Sequence, residues 1–204
     1  MKITEYNNIK NFTYEEYCEY LKTKHGNALY DYFTKTYNKN PKVTRTKEGL
    51  VCHHICEDRA IMLSSPKYAQ IFPFEYQKAV NLCYCDYLEH LLLHILICEK
   101  VKSPNDDFLA AGIGGIVNYL VPELNDFYSG WKTNQQWRMN CHNLVRDDKD
   151  VYLTLLKRFK TNCKDYCEAC LTNPESCLLT SFNEEFGLWS KEKNQPIFEE
   201  IIKL

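Results

Sequence analysis

Four of the six histidines lie between positions 53 and 94: His53 and His54 are adjacent, and His90 and His94 follow further along. Imidazole nitrogens bind divalent metal ions and act as general bases near neutral pH. Residues four positions apart share one face of a helix, so His90 and His94 can bind one ion. Adjacent residues of a strand face opposite sides, so one of His53 and His54 can join that ion while the other faces a substrate.

This set of side chains suits metal-assisted hydrolysis. Such a reaction needs a metal ion to stabilise charge on the phosphate and the leaving oxygen, a general base to activate water, and a group that holds the base in the correct tautomer. Histidine suits the base because its ordinary pKa, about 6.5, leaves much of it neutral at cellular pH. Asn81 precedes the second pair of histidines and is a candidate for restraining the intervening loop.

Two strands and a helix are predicted around these residues. The apolar and β-branched run at positions 49–56 is typical of a strand, and positions 81–85 predict a second one. Asp86 fits a helix N-cap with Glu89 three residues later, and positions 87–100 are strong helix formers. The predicted order is strand, long loop, strand, helix, and the loop has room for a short helix of its own.

The combination resembles a known superfamily. His53-His54-Ile55, then Asn81-Leu82, then Glu89-His90-x-x-x-His94 resembles the motif of the HNH endonucleases, also called ββα-metal or His-Me finger nucleases. It is similar to the nuclease domains of DNase colicins and to HNH proteins of phages and mobile elements. The resemblance covers positions 49–102. It implies a metal site of His53, His90 and His94, with His54 as the general base and Asn81 as the structural asparagine.

The resemblance also implies a reaction, a substrate and a cofactor. The expected reaction is hydrolysis of DNA phosphodiester bonds by an endonuclease, and RNA stays open as a substrate. One divalent ion is expected: three neutral imidazoles favour Zn²⁺ or Ni²⁺, while Mg²⁺ or Mn²⁺ are alternatives for turnover. The chain lacks the two flanking Cys-x-x-Cys pairs of many relatives. It also lacks an arginine that matches a transition-state clamp, which leaves Arg59 as a candidate.

Three other interpretations of the histidines stay open. His90 and His94 are compatible with a buried helix on which both are core residues. A catalytically inactive HNH fold can serve as a binding or inhibitor protein of the phage or mobile-element type, and the acidic C-terminal helical region suits a protein partner. The histidines can also stabilise the fold of a structural metal-binding protein.

The distribution of charge bears on the partner. The formal net charge is −2, which argues against a protein that coats nucleic acid by electrostatics alone. One segment, positions 35–47, contains five cations and no acid: Lys35, Lys39, Lys42, Arg45 and Lys47. This segment leads into the histidine cluster and is a candidate nucleic-acid arm, with a solvated linker as the alternative.

The chain is expected to be cytoplasmic and free of membrane segments. Its N-terminal residues lack the apolar stretch of a secretory signal, and the longest apolar run, positions 91–98, is too short to span a bilayer. The eleven cysteines are therefore interpreted as reduced thiols or metal ligands. A structural zinc ion is one interpretation of a C-terminal group, and core thiols are the other: Cys163, Cys167, Cys170 and Cys177. Four further cysteines beside the histidines are assigned to packing, with a second metal site as the alternative: Cys52, Cys56, Cys83 and Cys85.

These patterns predict an α+β fold, with a central ββα-metal unit embedded in a mainly helical chain. The expected division is an N-terminal helical segment with the basic arm at positions 1–48, the nuclease core at 49–102 and a helical region at 103–204. Further helices are predicted at positions 13–36 (one helix, or two broken at Gly26), 106–121, 134–144, 147–172 and 195–203.

Three smaller features have structural and functional interpretations. One group of glycines indicates close helix packing rather than a phosphate-binding loop, because no strand precedes it: Gly112, Gly114 and Gly115. The cations at positions 157–160 and Lys164 are interpreted as a solvated helix face, with phosphate contact as the alternative. The tryptophans are assigned to the core or an interface, with stacking on an unpaired base as the alternative: Trp131, Trp137 and Trp189.

Overall fold

The computed structural model describes residues 1–100, 111–163 and 177–204. Within these ranges, helices surround a two-stranded antiparallel sheet, which confirms the predicted α+β, mainly helical class. A π-helical turn, Ile116–Leu120, joins the fifth helix to the sixth. The elements are, in chain order, α1 (Ile3–Ile9), α2 (Tyr14–His25), β1 (Val51–His54), α3 (Pro66–Ala69), β2 (Leu82–Cys85), α4 (Tyr87–Glu99), α5 (Ile113–Gly115), α6 (Val121–Tyr128), α7 (Gln136–Val145), α8 (Lys149–Asn162), α9 (Phe182–Glu185) and α10 (Lys191–Ile202).

Helix α4 lies at the centre of the molecule. Its N-terminus has the predicted capping box, in which the Glu89 N–H donates to the Asp86 side chain and the Glu89 carboxylate accepts from the Asp86 N–H. Nearly all residues of α4 are buried, because α2, α7, α8 and the sheet pack around it. A helix that is apolar on all sides is stable in such an interior position. Among the described residues, no helix has the length and apolar character needed to cross a bilayer.

The sheet determines where His53 and His54 point. Strands β1 and β2 pair in antiparallel register, with His53 opposite Cys83 and His54 opposite Leu82. The Cys83 face packs against α4 in the main core, and the Leu82 face packs in a smaller cluster that contains Tyr32. The two adjacent histidines therefore point into different environments, as strand geometry predicts.

The N-terminal segment matches the prediction only as far as α2. Thr13 and Glu16 form the predicted capping box. The helix ends at His25, and the following glycine has a φ of +82°, so the predicted helical continuation to position 36 is wrong. Residues 27–36 instead form an irregular segment that buries Tyr32 in the smaller cluster beside the sheet. Burial of aromatic rings in tertiary contacts has overridden the local periodicity.

The basic segment at positions 35–47 is a folded loop. It contains the 3₁₀ turn Pro41–Val43, and the side chain of Val43 is fully buried. Arg45 forms an ion pair with Glu48 and lies over the ring of Tyr84. The segment is therefore packed on the sheet, and its contact with nucleic acid stays a prediction.

The C-terminal helices follow the predicted positions in part. Helices α7 and α10 agree with the predicted helices 134–144 and 195–203 within a few residues, and α8 begins near the predicted start at position 147 but ends at Asn162. The end predicted at position 121 for the helix 106–121 is wrong, because the helical stretch continues through Pro122, in the first turn of α6, to Tyr128. Positions 106–110 and 164–172, with Lys164, Cys167 and Cys170, lie outside the described residues. Arg158 forms a bidentate ion pair with Glu99. It therefore joins α8 to the end of α4 instead of facing solvent.

A buried aspartate holds the last two helices against α6. The carboxylate of Asp126 is fully buried and accepts hydrogen bonds of 2.6–2.8 Å from Ser181, Asn183 and Asn194. Both carboxylate oxygens accept hydrogen bonds from α9, from α10 or from the residue just before α9, so one side chain connects α6 to both C-terminal helices.

Replacing Asp126 by alanine should lower the free energy of unfolding by more than about 2 kcal/mol, because several buried N–H groups lose their acceptor. Urea unfolding followed by circular dichroism measures the change. Asp147→Ala removes an exposed carboxylate and should change the free energy by no more than about 0.5 kcal/mol. Equal unfolding midpoints for the two variants would contradict the anchoring role.

Candidate metal centre

The structure brings together the three histidines predicted to bind a metal. His53 comes from β1, and His90 and His94 come from successive turns of α4. The ring centroids lie 5.1 Å apart for His53 and His90, 5.4 Å for His53 and His94, and 4.8 Å for His90 and His94. The Nε2 atoms of His90 and His94 are 3.1 Å apart. Strand and helix geometry thus direct three imidazoles towards one point.

Glu57 completes this group. Its carboxylate oxygens lie 3.6 Å from Nδ1 of His53, from Nδ1 of His54 and from Nε2 of His94. One ligand atom from each of four residues lies within 4.8 Å of the other three. These residues, which form the ligand group, can hold a metal ion: His53, Glu57, His90 and His94.

Tyr14 fixes the orientation of the His53 ring. The Tyr14 hydroxyl donates to the Ile55 carbonyl oxygen at 2.8 Å and is 2.8 Å from Nε2 of His53. Because a hydroxyl has a single proton to donate, Tyr14 accepts the second bond from the Nε2–H of His53. A neutral His53 then has its lone pair on Nδ1. That atom is buried and has no hydrogen-bond partner among the described residues.

The spacing of these atoms fits a metal ion. Adjacent ligands of a tetrahedral ion bound at about 2.0–2.1 Å lie about 3.4 Å apart. The His90–His94 distance of 3.1 Å and the two distances of 3.6 Å from Glu57 to His53 and His94 are close to that value. An unpartnered lone pair, two imidazoles and a carboxylate at this spacing form a donor set typical of a divalent cation site.

Burial and neighbouring groups set the charges of the ligand group. Burial lowers the pKa of His53 to about 3 and also lowers the pKa of His90 and of His94. Burial alone would raise the pKa of Glu57, but the positive charge of protonated imidazoles beside it outweighs burial and holds this pKa well below its usual range. The ionised carboxylate is therefore stabilised by positive charge, which the imidazoles do not supply while burial keeps them neutral. This arrangement favours a cation.

Two glycines allow the segment after α4 to approach His94. A Cβ atom on Gly115 would lie 2.4 Å from Cε1 of the His94 ring, and one on Gly112 would lie 2.9 Å from the His94 carbonyl oxygen. The predicted close helix packing is therefore confirmed at these two positions. At Gly114, the nearest atom to an added Cβ would be 3.8 Å away, so close packing does not explain that glycine.

His54 lies outside the ligand group. Its ring is fully buried, packs on Tyr32 with centroids 4.3 Å apart, and places Nε2 3.0 Å from Oε1 of Gln77. Nδ1 faces Glu57 and has no hydrogen-bond partner among the described residues. The general-base role of His54 stays a prediction, and Glu57 is its contact with the ligand group.

The two remaining candidates from the sequence occupy different positions. Asn81 donates from its side chain to the Glu75 carbonyl oxygen at 2.9 Å, so it restrains the loop between the strands, where the prediction placed it. Arg59 is largely exposed, donates to the sulfur of Cys56 and lies 3.6 Å from Asp58. Nothing in these contacts directs Arg59 towards the ligand group.

A cavity of about 840 Å³ opens beside the ligand group. Glu57, His90 and His94 are part of its wall, and His53 and His54 are not. An ion held by the ligand group would therefore be reached from this cavity.

Most of the described cysteines are buried. Burial raises the pKa of Cys52 to about 12 and raises that of Cys85 well above its usual value, and a contact with Cys18 together with burial does the same for Cys83. Among the described residues no cysteine joins a metal-binding group. Cys167 and Cys170 lie outside the described residues, so the C-terminal zinc site stays a prediction.

Sequence reasoning missed Glu57, Tyr14 and Gln77. The spacing His53-x-x-x-Glu57 offered a weak signal for the carboxylate, because an acid one turn after a strand histidine can return to it. Tyr14 and Gln77 carried no signal, since contacts between distant segments depend on the tertiary fold.

No family model, curated protein or solved structure matches this chain. The resemblance to HNH endonucleases therefore rests on the motif residues and their spacing in the sequence.

Replacing Tyr14 by phenylalanine should weaken metal binding about 10-fold, because His53 loses the partner that fixes its tautomer. Competition with a chromophoric zinc chelator measures the affinity. Tyr20→Phe removes another hydroxyl of α2, one that donates to Glu5, and should leave the affinity unchanged. An unchanged affinity in the Tyr14 variant would exclude the orienting role.

The metal-free protein should lose stability as the pH falls below about 6.5. The folded state keeps His53, His90 and His94 neutral because burial lowers each pKa, whereas the unfolded chain protonates its histidines near pH 6.5. Since the unfolded state binds more protons, the free energy of unfolding decreases towards acid, by at most about 1.4 kcal/mol per pH unit for each imidazole.

Urea unfolding of chelator-treated protein between pH 8 and pH 5 tests this dependence. A variant with His90→Gln and His94→Gln should show a shallower slope, because two of the titrating groups are removed. Identical slopes for the two proteins would contradict the assignment of neutral imidazoles to the folded state.

Proposed function

We propose that this protein is a metal-dependent endonuclease that hydrolyses phosphodiester bonds in nucleic acid, with DNA as the expected substrate. The observation that carries the proposal is the ligand group beside the cavity, in which the His53 Nδ1 lone pair has no partner among the described residues. The resemblance of the motif to HNH endonucleases supplies the reaction class.

The ligand group would hold one divalent ion. When bound, such an ion stabilises the negative charge that builds up on the phosphate and the leaving oxygen. Burial keeps the imidazoles neutral, which is the form that donates a lone pair. Tyr14 holds the His53 ring, and Gly115 allows the helical segment to pack directly on the His94 ring.

His54 is the proposed general base. Gln77 Oε1 accepts from the Nε2–H of His54 at 3.0 Å, which leaves the lone pair on Nδ1 to accept a proton from water. The His54 side chain has no exposed surface, and Glu57, which lines the cavity, is the neighbour of its Nδ1. Base action therefore requires the Glu57 carboxylate to turn from His54 towards the ion.

The number of ligands bears on the choice of ion. A tetrahedral zinc ion bound by all four residues would have no position left for a substrate. Magnesium and manganese accept six ligands and would keep two positions open. We therefore expect zinc to bind tightly without supporting turnover, and we expect manganese or magnesium to be the active ion.

The complete burial of His54 and the presence of a fourth ligand favour a second candidate function. A closed four-ligand ion with a buried histidine beside it suits a protein in which the metal only stabilises the fold. Such a protein would act by binding a partner, as a catalytically inactive member of the same fold would.

Replacing His54 by alanine should lower plasmid cleavage by at least about 100-fold, because a positioned general base contributes that much or more. Metal affinity should be retained, since His54 is outside the ligand group. The assay incubates purified protein with supercoiled plasmid and each of Mg²⁺, Mn²⁺, Ni²⁺ and Zn²⁺. Lys203→Ala, an exposed position, is purified in parallel and should cleave as the wild type does.

The outcomes separate the two candidate functions. Full activity in the His54 variant would remove its role as the base. Absence of cleavage by the wild type with every ion, together with unfolding when the metal is stripped, would favour the structural metal-binding protein. His94→Gln should lose both metal binding and cleavage, which identifies the ligand group as the source of any activity.

A further inference from the structure

The cavity beside the ligand group has aromatic and apolar walls. The residues that line it include Tyr32, Lys39, Met62, Tyr119 and Trp137. Trp137 is 42% exposed and Met62 is 52% exposed. Large apolar side chains that stay exposed beside a polar site are available for contact with a ligand. The ring of Tyr119 packs edge-to-face on Tyr87, which fixes this ring in the lining.

Few of the described residues that line the cavity are cationic, namely Lys39 and Arg45. Arg45 is held by Glu48 and by the His25 carbonyl oxygen. The Lys39 ammonium is exposed and lies over the Tyr32 ring, 4.9 Å from its centroid. A protein that binds a duplex through its backbone neutralises many phosphates, whereas this lining has one cation free of a carboxylate partner.

The depth of the ligand group restricts the shape of the substrate. His53 is 1% exposed and His94 is 5% exposed, so a reacting phosphate must enter the cavity to approach them. A duplex is stiff over short lengths, with a persistence length of about 50 nm. A duplex therefore presents its phosphates on a convex rod, whereas the cavity of about 840 Å³ is concave and within the size range of small-ligand pockets, about 300–1,000 Å³. A single strand bends freely and can separate its bases from its phosphates.

We propose that the site takes an unpaired nucleic-acid strand, with a base stacked on Trp137 and a phosphate beside Lys39. The inference rests on the proposed nuclease function and specifies its substrate. Aromatic side chains are the usual contact of unpaired bases, and the stacking tolerates any base because each has a flat π face. The shared chemistry is the unpaired strand, whether its sugar is deoxyribose or ribose.

Binding is measured by fluorescence anisotropy with a labelled 16-nucleotide DNA strand, the same strand as RNA, and the DNA strand annealed to its complement. The wild-type protein is loaded with Zn²⁺, the ion that we expect to bind without supporting turnover, so that no strand is cut. We expect at least one of the single strands to bind at least tenfold more tightly than the duplex. Equal or tighter binding of the duplex overturns the proposal.

Variants assign the contacts. Trp137→Ala should weaken single-strand binding by between about 5-fold and 150-fold, the range for one stacked base, and Trp137→Phe should restore most of it. Trp189→Phe is the control, because Trp189 does not line the cavity. Lys39→Gln should reduce the salt dependence of the binding constant by the amount expected for about one phosphate contact. Unchanged affinity in the folded Trp137→Ala protein, with circular dichroism as the check, overturns the stacking role.

Cleavage of the same three oligonucleotides with Mn²⁺ separates this inference from the proposed function. Cleavage of the duplex at the rate of the single strand supports a nuclease but overturns the single-strand inference. Preferential binding of a single strand without cleavage by any ion supports the inference as a binding site and removes the nuclease proposal. Preferential binding and preferential cleavage of the same strand support both.

Discussion

A buried carboxylate that faces neutral imidazoles is the feature on which the site depends. Glu57 lies 3.6 Å from nitrogens of His53, His54 and His94, and burial disfavours protonation of His53 and of His94, which would otherwise neutralise it. An uncompensated charge inside a protein costs several kcal/mol. A cation at this point would offset that cost and accept the unpartnered lone pair of His53. The electrostatics of the fold and the coordination chemistry of the group therefore favour the same occupant.

Helix α4 gives the site its rigidity. Packing on every side of the helix fixes the positions of His90 and His94, and its capping box shares Glu89 with Lys24 and His25 at the end of α2. Helix α2 also begins with Tyr14, which holds the His53 ring. The same pair of helices thus positions ligands from the strand and from the helix relative to each other. Packing of α2 on α4 therefore fixes the relative positions of ligands that come from separate segments of the chain.

Local sequence patterns predicted the strand, loop, strand and helix around the histidines, because each depends on short-range rules. Strand alternation separated His53 from His54, helical spacing paired His90 with His94, and the Asp86–Glu89 box marked the start of α4. The glycines at 112 and 115 were correctly assigned to close packing, although the partner, His94, was not foreseen. These features follow from dihedral preferences and periodicity alone.

The features that the sequence did not predict come from contacts between distant segments. The irregular course of residues 27–36 follows from burial of Tyr32 beside the sheet, which local periodicity cannot show. Glu57 joined the ligand group because a 3₁₀ turn after β1 directs it back to the histidines. The enclosure of His54 depends on Gln77 and Tyr32, which come from two different loops. Such contacts appear only once the chain is folded.

The protonated thiols near the site affect how the protein responds to reagents. The thiolate is the form of cysteine that alkylating agents and oxidants attack, and burial keeps Cys52 and Cys85 in the neutral form at ordinary pH. The fully buried Cys85 is therefore shielded while the chain is folded and becomes reactive when the sheet opens, whereas Cys52 is half-buried and lines the cavity. The rate at which a thiol reagent labels Cys85 thus measures how often β1 and β2 separate.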